Sequence, residues 1–265
     1  MKIIYLTLSL LVGIYFLIVI SIYLFQRNLL YHPKENNYLE EKLLEHNIQK
    51  IVIPSEHELT GWYYKKNPKF KTLLFFHGNA GKLENRIYKL NDLSKLNINY
   101  LIIAYRGFSG NEGSPSEDGL YLDARAAKKW LNSNDIDDSN IILYGESLGT
   151  AISIDLAQDF NFAGIILESP FTSMVDLAKI YYPYLPVSIL LKDRYNSLDK
   201  MKDINSPILV MHGKKDKIVP YNMGVKIFET AKEPKYKYFN DYDDHMMEFN
   251  DNLINSIDNF IKRIN

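Results

Sequence analysis

Residues 140–160 read NIILYGESLGTAISIDLAQDF. An apolar run, Ile141 to Tyr144, enters Gly145-Glu146-Ser147-Leu148-Gly149, and a stretch of helical character from Thr150 to Phe160 leaves it. A nucleophilic serine on a sharp strand-to-helix turn requires this pattern. The turn forces Ser147 into a strained backbone conformation, and glycines two residues to either side let neighbouring segments approach. A helix N-terminus then lies beside the serine, so backbone N–H groups face any negative charge that develops there. At Gly and Ser frequencies of roughly 6–7%, G-x-S-x-G alone arises in about one chain of this length in ten. The strand–turn–helix context gives it weight.

A serine hydroxyl is inert at neutral pH unless a base takes its proton, and the base needs a partner to hold its tautomer. Such groups belong at the ends of later strands. Ile208-Leu209-Val210-Met211 reads as a strand whose outgoing loop, His212-Gly213-Lys214-Lys215-Asp216, carries Asp216. Lys235–Phe239 reads as the next strand, and its loop carries Asp241, Asp243, Asp244 and then His245. The strand-end position selects Asp216 as the partner of His245, and the order Ser147, Asp216, His245 is that of an α/β-hydrolase. A tetrahedral intermediate also needs two N–H donors for its oxyanion, each worth roughly 3–4 kcal/mol. The expected donors are the backbone N–H of Leu148 and that of Asn79, in the loop after the Thr72–Phe76 strand.

Around these motifs, apolar runs without polar alternation are separated by helical stretches. The strands are expected at 48–53, 59–66, 72–76, 100–104, 141–144, 163–167, 208–211 and 235–239, with helices at 83–96, 118–131 and the C-terminus. That is the pattern of a mostly parallel central sheet with helices on both faces. Almost forty residues lie between Ser169 and Ile208, where a crossover needs about a dozen. The apolar segments Tyr181–Pro186 and Ile189–Leu191 within them predict a small helical lid at about 171–203.

Residues 3–25 are 23 uncharged residues. As a helix they extend about 35 Å, enough to cross a hydrocarbon core of roughly 30 Å. The run is longer than a signal-peptide core and ends in Leu24-Phe25-Gln26-Arg27-Asn28, a poor cleavage site. The expected organisation is a transmembrane anchor at 1–27, a linker at 28–47 and one α/β domain at 48–265. Flanking basic residues tie across the span. The short basic N-terminus resembles an uncleaved export signal, which puts the catalytic domain on the outer (periplasmic or extracytoplasmic) face.

The net charge of −1 offers no footprint for nucleic acid, and without cysteine there is no disulfide, thiolate zinc site or Cys nucleophile. Gly78–Lys82 lacks the glycine spacing of a phosphate loop, and Gly107, Gly110 and Gly113 lack that of a dinucleotide site. No cofactor or metal is expected. His77 and His212, each before a glycine at a strand end, are expected to be structural, as are the acids before His245, which read as a solvated loop. Glu146 is expected to point away from Ser147 and to form an internal ion pair, with Arg106 the candidate partner.

Taken together, HGNAG (77–81), YRGFSGNEGSPSEDGLYLDA (105–124), YGESLGT (144–150), HGKKD (212–216) and the final Asp244-His245 resemble one subgroup of the α/β-hydrolase superfamily. It comprises membrane-anchored hydrolase-domain proteins related to serine aminopeptidases and prolyl-oligopeptidase-like hydrolases. The resemblance covers about 48–265 and extends to the anchor. It implies Ser147, Asp216 and His245 as catalytic triad, Asn79 and Leu148 as oxyanion donors, and hydrolysis of a small acyl-ester, thioester or lipid-modified substrate. A serine peptidase or amidase would use the same triad, and an inactive binding protein would keep the same fold.

Overall fold

Uninterrupted apolar runs become strands buried along their whole length in the computed structural model, which describes residues 1–35 and 40–264. The chain opens with α1 (Lys2–Leu30), β1 (His32–Pro33), β2 (Gln49–Ile53), β3 (Leu59–Tyr64), β4 (Thr72–Phe76) and β5 (Ala80–Gly81). It continues through α2 (Ile87–Lys95), β6 (Asn99–Ile103), α3 (Glu117–Ser133), β7 (Ile141–Glu146), α4 (Leu148–Asp159) and β8 (Gly164–Glu168). The short helices α5 (Met174–Tyr181), α6 (Val187–Leu190) and α7 (Ser197–Met201) follow. The last elements are β9 (Ile208–Gly213), α8 (Tyr221–Thr230), β10 (Lys235–Asn240) and α9 (Asp251–Arg263).

Eight strands form one sheet in the order β10-β9-β8-β7-β4-β6-β3-β2. β3 runs antiparallel to both neighbours, and the other pairs are parallel. Every residue of β4, β6, β7, β8 and β9 is buried. Successive strand residues face opposite sides, so burial of all of them means that both faces are covered. β7 lies near the middle of this order and carries Ser147 off its C-terminal end. β9 and β10 deliver Asp216 and His245 at the same end, two and three strands away. Parallelism thus collects side chains 98 residues apart at one edge.

α9 shows how a sequence pattern becomes a packed face. Leu253, Ile257, Phe260 and Ile261 recur at helical spacing and are buried, while Asn250 caps the helix by accepting from the N–H groups of Asn252 and Leu253. Ile264, just past its end, packs partly buried against the core.

Three boundaries differ from expectation. α1 continues to Leu30, so the stretch expected as a linker starts inside the helix, and its residues 36–39 lie outside the described ones. The helical stretch at 83–96 opens with a 3-10 turn, Leu83–Arg86, before α2. Within the expected lid, α7 packs against α4 and α8, with Ser197 and Met201 buried. It belongs to the body, leaving α5 and α6 as the outlying part.

Candidate active site

Ser147 sits between β7 and α4 with φ 52° and ψ −112°. A non-glycine residue rarely adopts a positive φ, and one held there is evidence of an over-determined local structure. The determinants are visible. The Ser147 N–H donates to the carbonyl of Glu168 at 2.8 Å. A Cβ on Gly145 would lie 2.4 Å from the Gly149 carbonyl oxygen, and one on Gly149 would lie 2.0 Å from that of Phe76. Only glycines let the start of α4 rest on β7 and β4.

Ser147 Oγ is 3.0 Å from His245 Nε2, and His245 Nδ1 is 2.8 Å from Asp216 Oδ2. The three side chains expected to act together are therefore in hydrogen-bonded sequence. Of the acids just before His245, Asp241 pairs with Lys214 and Asp244 accepts from the N–H of Met246, while Asp243 is buried rather than solvated as expected. Among the described residues no cluster of three or more His, Cys, Asp or Glu side chains could hold a metal ion.

Asp216 is buried and pinned from several sides. Its Oδ1 accepts from the N–H groups of Ile218 and Val219, each at 2.8 Å. Its Oδ2 lies 3.2 Å from His212 Nε2, which also faces the Val219 carbonyl at 3.0 Å. Burial alone would raise its pKa, but the hydrogen bonds from His212, His245 and Val219 outweigh that and hold the carboxyl well below the usual range. His212 is thus more than a core histidine: it shares its Nε2–H with the carboxylate that faces His245. The ring is fully buried, and a side chain at Gly224 would collide with it. The HG pair at 212–213 was the available signal, though nothing local in the sequence says which way the ring turns.

His77 has no such partnership. It is buried against Tyr105, with ring centroids 4.2 Å apart, and its Nδ1 is 2.7 Å from the Gly78 carbonyl. Burial, with the nearby Arg86 charge, pushes it down to about 3, so it is neutral at any working pH.

Leu148 is the first residue of α4, so its N–H has no acceptor within the helix. Asn79 follows β4 in the loop beside the elbow. Its neighbour Gly78 donates its N–H to Glu146 Oε1 at 3.3 Å, tying the loop to the residue before the serine. Asn79 is also held from the other side: its side-chain amide donates to the Leu30 carbonyl at 2.7 Å, and its own carbonyl accepts from the His32 N–H at 2.9 Å. β1 and β5 extend this contact as a parallel pair.

Glu146 does point away from the serine, but its partner is not Arg106. Arg86 reaches its Oε1 at 2.6 Å and Lys89 its Oε2 at 2.8 Å. Lys89 also pairs with Glu168 at 2.7 Å, and Tyr144 donates to Glu168 at 2.5 Å. Arg106 is occupied by Asp123 and Glu56. Two cations and two carboxylates are thus buried together behind the elbow. Burial raises the pKa of Glu146, and the adjacent Arg86 and Lys89 charges overcome this to hold it low.

Among known families, the prolyl oligopeptidase family matches residues 121–252. An uncharacterized protein of Mycobacterium tuberculosis is 35% identical over 215 residues, covering 79% of this chain and 76% of that one. Protein bem46 of Schizosaccharomyces pombe is 34% identical over 214 residues, 78% of this chain and 70% of its own. Among solved structures, the esterase Pf2001 of Pyrococcus furiosus superposes with a TM-score of 0.71 at 20% identity, over 88% of this chain and 97% of the esterase.

Proposed function

The chain belongs to the α/β-hydrolase superfamily, in the family that includes bem46, and on that premise we propose that it is a membrane-anchored serine hydrolase cleaving carboxylic esters or thioesters. The observation that carries the reading is the Ser147–His245–Asp216 relay, with spacings of 3.0 and 2.8 Å. His245 Nε2 takes the Ser147 proton as Oγ attacks the acyl carbonyl, then returns it to the leaving alcohol or thiol. The same nitrogen next activates a water that releases the acid from the acyl-enzyme. Asp216 holds the imidazole with Nδ1–H directed at itself and stabilises the imidazolium. The N–H groups of Leu148 and Asn79 stabilise the oxyanion, Leu148 with the added favour of the α4 N-terminus. The 29-residue apolar α1 supports the anchor.

A fluorophosphonate probe tests the chemistry. Wild type should be labelled and turn over p-nitrophenyl acetate, and Ser147→Ala should do neither. Equal labelling of the two would sink the proposal. Because the prolyl oligopeptidase family matches residues 121–252, an amidase is the second reading. Turnover of aminoacyl p-nitroanilides without turnover of p-nitrophenyl esters would favour it.

A further inference from the structure

The segment Ile180–Leu191, IYYPYLPVSILL, is twelve uncharged residues bracketed by Lys179 and Lys192. It covers the end of α5, the turn and α6, and it turns apolar side chains outward: Tyr184 is 68% and Ile189 84% exposed, with Ile180, Tyr181 and Tyr182 also open. A soluble surface rarely concentrates large apolar groups this way, and such a patch marks a partner.

The position of the patch along α1 identifies the partner. Lys192 lies over the Tyr23 ring at 4.3 Å, Gln26 bonds the Leu190 carbonyl and the Lys192 N–H, and Arg27 pairs with Asp193 at 2.9 Å. These charges mark the polar boundary at residues 23–27. Further up the same helix, Tyr15 donates its hydroxyl to the Tyr184 carbonyl at 3.0 Å. Tyr15 is eight residues before Tyr23, so at 1.5 Å per residue the lid tip reaches about 12 Å past that boundary. Half a hydrocarbon core is roughly 15 Å.

Most of the backbone of the segment is satisfied from within. The N–H groups of Tyr182, Leu185, Val187, Ile189, Leu190 and Leu191 all find carbonyls within the segment or one turn before it, and Pro183 and Pro186 have no N–H to satisfy. An apolar groove of about 170 Å³ separates the tip from α1, lined by Ile22, Leu29 and Leu30 on one side and Leu177, Leu185 and Leu190 on the other.

We propose that Ile180–Leu191 is a second, monotopic membrane contact, dipping into the leaflet beside α1 with Lys179 and Lys192 at the phosphates. The proposal rests on the reading that α1 spans the bilayer. Tyr181 bonds the Lys217 and Ile218 carbonyls, next to Asp216, so the immersed lid is clasped to a loop of the active site. Esters dissolved in the leaflet meet this lid before they meet water.

The chain has no cysteine, so single spin labels can be placed without background. The full-length variants Tyr184→Cys, Ile189→Cys, Leu17→Cys and Asn134→Cys, labelled and reconstituted in phospholipid vesicles, would report collision with oxygen and with a water-soluble nickel chelate. All four side chains are exposed, and substituting them leaves the core intact. The expected oxygen-to-nickel ratio at 184 and 189 is several-fold that at 134 and close to that at 17. A high ratio at 17 with values at 184 and 189 matching 134 overturns the lid proposal and leaves the anchor standing. A low ratio at 17 as well overturns both. Exclusion of both reagents at 184 and 189 means that protein covers the patch, such as a second copy, and also defeats the proposal.

Discussion

At Asp216 one carboxylate serves two histidines and two backbone donors, and this crowding has measurable consequences. Asp216→Asn should preserve the fold and lower kcat by a factor on the order of 10⁴, because an amide can present an N–H to His245 and favour the wrong tautomer. Steady-state ester hydrolysis would read this directly. The folded-state pKa of Asp216 lies below its unfolded value near 4. Its contribution to stability is therefore complete above about pH 4 and is lost as the pH falls towards the folded value. Asp216→Asn should accordingly melt with a flatter dependence on pH below about 4 than wild type, and an unchanged acid slope would contradict the assigned shift. His212→Phe removes one donor from the same carboxylate while keeping a buried ring. With one anchor of the carboxylate gone, the orientation of His245 loosens, and kcat for ester hydrolysis should fall on the order of 10-fold while the melting temperature changes little. An unchanged kcat would make His212 a packing residue only.

Among elements, the junction of β7, β8 and α2 depends most on paired charge. Lys89 is fully buried between Glu146 and Glu168, with Arg86 beside it. Lys89→Met would leave carboxylates buried with too little compensation and should cost about 3–5 kcal/mol. That cost should shrink on acidification. In wild type the depressed Glu146 loses its contribution only below about pH 4.5, so the change between pH 5 and 8 belongs to the variant, where burial dominates and protonation relieves the site. Melting curves between pH 5 and 8 in detergent would show the two proteins converging at the acid end. A pH-independent gap would argue against the network.

This junction also marks where sequence reading stops. The runs 72–76 and 208–211 announced β4 and β9 because strands buried on both faces carry no polar alternation. The elbow announced itself because only glycine fits at 145 and 149. Glu146, by contrast, finds partners 57 and 60 residues earlier, across a sheet whose strand order no local pattern states. Arg106 was the nearer candidate in the chain and is spent on Asp123. The grouping of Ser147, His245 and Asp216 was legible because the three sit at strand ends in a fixed order. The turn of the His212 ring and the assignment of α7 to the body were not, since both depend on packing between distant segments.

For the whole molecule, α1 is more than an appendage. Arg27–Asp193, the buried Tyr31–Tyr195 hydroxyl pair at 2.7 Å and both functional groups of the Gln26 amide fasten its end to the catalytic body. The last of these fastenings is the one at Asn79, whose side chain holds the Leu30 carbonyl and whose own carbonyl is held by His32. In mechanical terms the helix is a lever and the loop beside Ser147 is its short arm. A helix in a bilayer thinner than its apolar length tilts, and one in a thicker bilayer stands upright. Hydrolysis of a water-soluble ester, which needs nothing from the lipid, should therefore change with the acyl-chain length of the host vesicle. Asn79→Ala, which cuts the amide link but keeps the backbone N–H, should flatten that response, and an identical thickness profile in the two proteins would show the lever to be slack. Membrane thickness would then be an input to the enzyme, read at a single asparagine.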